Sequence, residues 1–596
     1  TIINNNADVF GGGIYLRSGS SPIIVNSIVW GNTPQNIYFR AGEGTNPGNI
    51  TFSYSDLQGG QDSIVTNENG NVTWGDGNVD IDPLFVDAGN GDYHLSDLSP
   101  VISAGADSVQ IEGVWYFAPT TDTDGNPRPS PENTVPDMGA YENENGAGNY
   151  NGPVWYVDGS FELSYANGSE SAKFSKIQDG INAAANGDTV MVASGIYVEN
   201  IDFGGKNIVV FGADQETTII DANHSGRVVT FQSGELPSAV LRGFTLQNGL
   251  EANGGGIYCT GGSSPSLYDL IITNNSANGG AGVHCFSGSS PRLENIKIIN
   301  NSATGNNGRG GGLRCTTNSD PTLVNVLISD NTATQEGGGV FCYNSDPSFV
   351  NVTITGNLSS IADGGGMFIK SNSGVNLLNT IIGGNESNEI EFSSVDDSST
   401  ITISYSNIAG GQDSIITNDN GTVIWGDGSI DVDPMFVDTA NGNYHLLASS
   451  QCINGGDPTT FDSDGTIADI GAYPYLNSYS GPTWYITEAG NDTTATGASD
   501  DPFRSIQAGI NFSSDADSVT VAAGTYVENI NFRGRNIKVV GENWETTIID
   551  GDQNGSVVIF ENLNNEFNHQ YQDAVLKNFT ITNGSSYEGS GIKLQY

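Results

Sequence analysis

The sequence predicts an all-β fold, a parallel β-helix, on three observations. Glycine clusters recur at a near-constant step: GGGIYC at Gly254–Cys259, GAGVHC at Gly280–Cys285, GGGLRC at Gly310–Cys315, GGGVFC at Gly337–Cys342 and GGGMFI at Gly364–Ile369. Ile257, Val283, Leu313, Val340 and Met367 hold one place in each, at steps of 26, 30, 27 and 27 residues. A proline keeps pace at Pro265, Pro291, Pro321 and Pro347, each after Ser or Asp. An Ile followed by an Asn does the same: Ile272/Asn274, Ile298/Asn300, Ile328/Asn331 and Ile354/Asn357. A period in this range, with short β-branched runs between Gly and Asn turns, signals a solenoid. Each repeat holds about three short strands, too polar to bury anything alone; stacked about 4.8 Å apart, their inward residues make one continuous core.

Composition fits such a chain. Hydrophobic residues are 36% and charged ones 15% of 596 residues, so the surface falls to Gly, Ser, Thr and Asn. The 80 glycines recur at fixed places, which assigns them to turns rather than to disorder. Net charge is −49, from 19 Lys and Arg against 68 Asp and Glu. That sign argues against nucleic acid and anionic membranes as partners, since both need basic patches. It suits an extracellular or cell-surface protein in a saline or calcium-containing medium. Cys259, Cys285, Cys315 and Cys342 share one register and are read as small core residues, with Cys452 apart. No His or carboxylate recurs beside them at zinc-ligand spacing. Thr1 falls inside a repeat and no signal peptide or membrane-spanning run is present, so an excerpt of a longer secreted polypeptide is expected.

Along the chain, one larger unit is told three times. Residues 1–32 carry the coil marks GGGIY at Gly11–Tyr15, Pro22, Ile28 and Asn32. An acidic segment follows and recurs: GGQDSI at Gly59 returns at Gly410, and WGDGNVDIDPLFVD from Trp74 returns as WGDGSIDVDPMFVD from Trp425, an offset of 351. It closes with DMGAY at Asp137–Tyr141 and DIGAY at Asp469–Tyr473. Trp155-Tyr156-Val157 opens a block that recurs at Trp484, 329 residues on. Within it, Phe174, Ile177, Ile181 and Ala184 have helical spacing, with Ser175 as the expected N-cap. The expected organisation is therefore the C-terminal part of one β-helix unit at 1–145, a complete unit at 154–475 and the N-terminal part of a further unit at 484–596, with linkers at 146–153 and 476–483. A short N-terminal helix on each would cover strand edges and apolar side chains that an open coil exposes. One uninterrupted solenoid is the competing picture.

These residues resemble the bacterial right-handed parallel β-helix repeat proteins of the pectate-lyase-like superfamily. The opening FSKIQDGINAAANGDTVMVASGIYVENI from Phe174 is similar to the start of many secreted members, and the coils resemble, more loosely, polymorphic outer membrane protein repeats. The resemblance spans nearly the whole chain and implies a right-handed, three-sheet solenoid. It implies no single activity, because the superfamily mixes polysaccharide lyases and hydrolases with adhesins and surface proteins.

Lyases of this fold pair calcium-binding carboxylates with an Arg or Lys base. Here Lys297, Arg309, Arg314 and Lys370 occupy no shared sequence register, and Arg292 alone follows its proline. Hydrolases need two carboxylates at a set separation. The family's Asn-Thr-Asp, Asp-Asp and Gly-His-Gly marks do not occur as a set, and Asp396-Asp397 has no His near it in sequence. No catalytic residue and no cofactor other than calcium is expected. His94 and His445 share one unit position and are read as polar residues closing a Tyr-His-Leu strand. Asn274, Asn300, Asn331 and Asn357 are read as a stacked turn ladder rather than sugar ligands. Calcium is the leading ligand expectation. Asp122, Asp124 and Asn126, and Asp462 with Asp464, alternate side-chain oxygens before a glycine turn, as hard cations favour, although no Glu completes an EF-hand loop. Asp80/Asp82 and Asp431/Asp433 form a second recurring pair; Asx-turn chemistry is the plainer reading of both.

The sequence thus predicts a non-enzymatic structural protein of an extracellular fibre, filament or cell-surface layer, self-associating end to end, with no membrane insertion in this segment. One alternative is a carbohydrate-binding adhesin using Tyr258, Phe286, Phe341 and Phe368 as outward aromatics. The other is a calcium-dependent polysaccharide lyase.

Overall fold

The computed structural model describes all residues except 18, 42–46, 97–98, 131–133, 144–151, 161–166, 171–172, 361–362, 562–572 and 596. The chain divides into two compact units, Thr1–Ser175 and Lys176–Tyr596. Among the described residues, no helix is long and apolar enough to cross a membrane.

In the unit Lys176–Tyr596 the glycine-marked repeats are coils of a parallel β-helix. One sheet stacks Val229–Phe231, Ile257–Cys259, Val283–Phe286, Leu313–Thr316, Val340–Tyr343, Met367–Lys370 and Ile390–Phe392 in unbroken parallel register. A second sheet stacks the eight-residue strands Val240–Gln247, Ser266–Thr273, Arg292–Ile299, Thr322–Ser329 and Ser348–Thr355. A third is made of two-residue strands such as Ser276–Ala277 and Ser302–Ala303. Like lies over like: Cys259, Cys285, Cys315 and Cys342 form one fully buried rung, and Ile272, Ile298, Ile328 and Ile354 another. Each such aliphatic side chain contributes about 1.5–3 kcal/mol on burial.

Two asparagine ladders hold the corners. The inner one is Asn275, Asn301, Asn331, Asn357 and Asn385. The backbone N–H and Nδ2 of each donate to Oδ1 of the next at 2.9–3.0 Å, and Nδ2 also donates to a carbonyl of the preceding coil. The expected Asn274 and Asn300 are therefore displaced by one: they adopt left-handed φ of 55° and 56°, and their neighbours carry the ladder. The outer ladder adds a second row that the coil pattern does not mark. Asp269, Asn295, Asn325 and Asn351 sit mid-strand with φ near 50–57° and bend each eight-residue strand around a corner. Their amides link coil to coil at 3.1–3.2 Å, and Asn379 continues the row at 3.0 Å.

The helix Ile177–Ala183 has Lys176, not Ser175, at its N-cap, and no side-chain cap bond. Its first amides are instead met by a carboxylate just past the strand Gly195–Val198: Ile177 and Gln178 donate to Glu199 at 2.8 and 3.0 Å. The helix Ile506–Phe512 repeats this with Glu528 at the same distances. At the other end Lys206 Nζ donates to the carbonyls of Ile181, Asn182 and Ala184, and Arg535 Nη1 to those of Ile510, Asn511 and Ser513. Acid at the start and base at the end follow the helix dipole.

After the last coil, Phe436–Asp438 pairs antiparallel with Asn443–Leu446, and the chain runs back over the coils as a strap. Asp457 N donates to Asn379 Oδ1 at 2.8 Å, and Gly471 N to the Asn379 carbonyl at 2.8 Å. Gly471 has φ +113°, and a Cβ there would lie 2.7 Å from Ile381 Cδ1, so only glycine allows this approach. Leu446, Ala448, Cys452, Ile453 and Ile470 of this strap then share one core with Trp484, Phe503, Ile506, Ile510 and Phe512 of the following block.

The unit Thr1–Ser175 holds the same arrangement in shorter form. Parallel pairs Ile2–Ile3 with Ile28–Trp30, Ile14–Leu16 with Ile37–Phe39, and Ile23–Val25 with Gly48–Ser53 surround Leu16, Val29, Ile37, Phe39, Ile50 and Phe52. Its strap packs Leu95, Val101, Ile102 and Met138 on Ile28.

Candidate functional site

The residues expected to bind calcium lie at turns in the two straps. Asp122 Oδ1 accepts from the backbone N–H groups of Asp124 and Asn126 at 2.9 and 2.8 Å, and Oδ2 from Glu142 N and Asn126 Nδ2 at 3.0 and 3.1 Å. Burial pulls its pKa upward, but these donors outweigh it and hold the carboxyl below its ordinary value. Asn126 is thus a donor to Asp122, its carbonyl meanwhile accepting from Asp122 N at 2.9 Å. In the second strap Asp462 Oδ2 accepts from Asp469 N at 2.9 Å. Asp464 accepts from Thr466 N and Oγ1 at 3.0 and 2.7 Å and from Asn477 N at 2.7 Å. Burial raises Asp462 to about 6, whereas Asp464, with more donors, is lowered despite burial. The second recurring pair does similar work: Asp80 and Asp431 accept from Gly59 and Gly410, and Asp82 and Asp433 from Leu84 and Met435, at 2.8–3.0 Å. Among the described residues, no three or more His, Cys, Asp or Glu side chains are grouped to hold a metal ion. Both carboxylate oxygens of Asp122 are thus already engaged, each by two N–H donors.

Asp124 does something different. Its Oδ2 lies 2.9 Å from His94 Nε2, whose Nδ1 lies 2.6 Å from Asp92 Oδ1, and the imidazole packs 4.1 Å from the Tyr141 ring. Asp92, ahead of Asp124, raises the His94 pKa, and His94 lowers that of Asp92. The twin site differs by one residue. Asn443 replaces the aspartate, His445 Nδ1 lies 2.9 Å from its Oδ1, and the ring stacks on Tyr473 at 4.5 Å. Burial, then Lys297, lowers the His445 pKa.

On the coils, the outward rung of the glycine-marked sheet runs Tyr258, His284, Arg314, Phe341, Phe368, Glu391. The expected exposed aromatic stripe is corrected here: Phe341 is 2% and Phe368 4% exposed, Tyr258 is half-buried, and of the four only Phe286, at 37%, is exposed. Alternation does turn them outward, but long basic side chains from neighbouring coils lie over them. Arg227 stands 4.3 Å over Tyr258, Arg314 and Arg309 5.5 and 5.8 Å from Phe341, and Lys370 6.0 Å from Phe368. Arg309, Arg314 and Lys370, scattered in sequence, are thus brought to one face. There they meet acids: Arg309 pairs with Glu336 at 2.6 Å, and Lys370 with Asp396 at 3.1 Å. Burial, then Arg309, lowers Arg314 to about 10. Burial, then Arg314 and Arg227, holds His284 well below its ordinary pKa, so the ring is neutral, with Nε2 3.2 Å from Thr316 Oγ1. Lys297 faces away, 3.7 Å from Glu216.

Residues 194–360 match the family described as right handed beta helix region. They cover the first coils through the fourth glycine cluster of this β-helix. Among solved structures, the chain is similar to the pectate lyase Pel9A, at 15% identity and a TM-score of 0.38, covering 54% of this chain and 96% of that one. It is also similar to the pectin methylesterase from carrot, at 13% identity and a TM-score of 0.26, covering 46% and 81%. Likeness at this level carries no chemistry across to this β-helix. No curated protein matches the chain.

Proposed function

We propose that this chain is a non-enzymatic structural segment of an extracellular fibre, filament or surface layer, built to give length and stiffness. The observation that carries the reading is the seam within Lys176–Tyr596. The strap that ends one sequence copy and the block that begins the next share a single core, with Phe512 and Trp484 packed in the same cluster as Cys452, Ile453 and Ile470. Polar bonds pin it: Arg533 Nη1 donates to the Ile453 carbonyl at 2.6 Å, and Asn511 Nδ2 to the carbonyls of Ala448 and Ser450 at 2.9 and 2.7 Å. A seam of this kind lets copy follow copy without a loose joint, and end-to-end self-association would use the same surfaces.

Two further observations support a structural role. Most of the carboxylates that sequence reading singled out accept backbone N–H groups, and the clustered cations meet acids or rings. The high negative charge favours solubility outside the cell. The test has two parts. Incubation with polygalacturonate or alginate, with and without calcium, is expected to release no unsaturated product, and sustained release would overturn the reading. Imaging of the full chain is expected to show the seam unbent, and a hinge between residues 446 and 484 would overturn it equally.

A further inference from the structure

The two copies of the acidic segment differ by an insertion. Asp92 and Asn443 correspond at an offset of 351, but Asp122 and Asp462 at 340, so the first strap carries 11 extra residues. They form an antiparallel hairpin, Ser108–Ile111 with Val114–Phe117, turned at Glu112 and Gly113 with φ of 49° and 83°. The second strap closes without it, so coil packing does not require the hairpin. Register sets its faces: Ser108 opposes Phe117 and Gln110 opposes Trp115, so these four share one side. Trp115 is 55% and Phe117 75% exposed, with ring centroids 6.4 Å apart and planes within 28°. Two large rings therefore stand close together, their planes near-parallel and both open to solvent, on the face that carries an amide and a hydroxyl.

We infer that this hairpin is a binding platform for a neutral polysaccharide chain. A sugar ring offers an apolar C–H face for Trp115 and Phe117 and hydroxyl groups for Gln110 and Ser108. Charge argues for a neutral glycan: from Asp107 to Thr121 there is no Lys or Arg, Asp107 and Glu112 flank the strands, and the whole chain is at −49. Anionic glycans and anionic lipid surfaces are repelled. Area argues against a second copy of the chain. Two aromatic side chains cover about 150–250 Å² each, well short of the roughly 800 Å² per partner that a stable protein interface buries. The platform is independent of the seam, so its failure would leave the structural reading standing.

The experiment is affinity electrophoresis of the full chain through gels containing β-glucan, xylan or galactomannan, with polygalacturonate as the anionic control. At least one neutral polymer is expected to retard the protein. W115A/F117A is expected to weaken that retardation about tenfold or more, with unchanged thermal unfolding, because both side chains project into solvent. Trp544→Ala, which removes another exposed indole at 60%, is expected to leave it intact. Three results would overturn the inference: no retardation by any neutral polymer, equal retardation of the double variant, or retardation by polygalacturonate alone. Partition onto zwitterionic vesicles, or dimers in sedimentation, that the double variant abolishes would reassign the hairpin to lipid or to self-contact.

Discussion

Asp56 and Asn407 occupy the same place in the two sequence copies, and the structure makes them a natural experiment. Asn407 satisfies both halves of its amide: Oδ1 accepts from Val432 N, and Nδ2 donates to the Val432 carbonyl, each at 2.9 Å. Asp56 is fully buried; its Oδ1 accepts from Ile81 N at 3.1 Å, while Oδ2 has no partner. Burial, reinforced by Asp80 and Asp82, raises its pKa from 3.8 to about 7. The folded state therefore favours the protonated acid. That contribution is complete below pH 3.8 and is lost as pH rises through about 7. Three units at 1.36 kcal/mol each set the penalty above pH 7 at about 4 kcal/mol, falling to about 2 at pH 5. Asp56→Asn removes the charge and supplies the donor that its twin uses. Urea unfolding of the full chain, followed through the Thr1–Ser175 transition, is expected to show the variant more stable at pH 8 by about 4 kcal/mol, with the gain shrinking toward pH 4. A gain independent of pH, or a loss at pH 8, would refute the reasoning.

Other expectations follow from the ladders and straps. Asn331→Ala leaves the buried backbone N–H of Asn301 unmet and removes one acceptor of its Nδ2 and the side-chain donor to the Ile298 carbonyl, and is expected to cost about 3 kcal/mol in urea unfolding. Asn274→Ala, one residue off the inner ladder, is expected to cost distinctly less. Histidine titration by NMR should place the His94 midpoint above 6.5 and the His445 midpoint below it, and Asp92→Asn should lower the former. Because the stabilisation from His94 is present below pH 6.5 and lost as pH rises through its raised midpoint, D92N should weaken the first strap more at pH 6 than at pH 9. Millimolar calcium is expected to leave thermal unfolding unchanged, since Asp122 already accepts four N–H donors. A rise in Tm that D122N abolishes would assign a cation to Asp122.

The coils were legible because their signals are backbone necessities. A glycine that must adopt left-handed φ or lie under a neighbouring carbonyl recurs wherever the coil recurs, and inward aliphatics keep its step. The inner ladder was misplaced in two coils for a simple reason. Asn274-Asn275 and Asn300-Asn301 offer two amides each, whereas Asp330-Asn331 and Gly356-Asn357 offer one. Pattern alone could not say which amide turns inward. The outer ladder carried a faint signal, an Asn or Asp three residues after each proline-marked strand begins, hidden among ordinary strand residues. The aromatic stripe failed differently. Period-two alternation gives the direction of Phe341 and Phe368 but not what lies over them, and Arg309, Arg314 and Lys370 arrive from other coils. The acidic turns were legible as Asx chemistry, while the pairing of Asp124 with His94 joins residues that only the strap brings together.

The shared core that joins one copy to the next is what leaves no loose joint between them. Hydrogen exchange of the full chain, read peptide by peptide, tests it directly. Amides of Thr483–Ile486 and Ile506–Phe512, together with those around Cys452 and Ile470, should be protected as long as the coils between Ile257 and Lys370, and Arg533→Ala should shorten protection at the seam first. Rapid exchange across 446–484 in the unaltered chain, with the coils still protected, would contradict it.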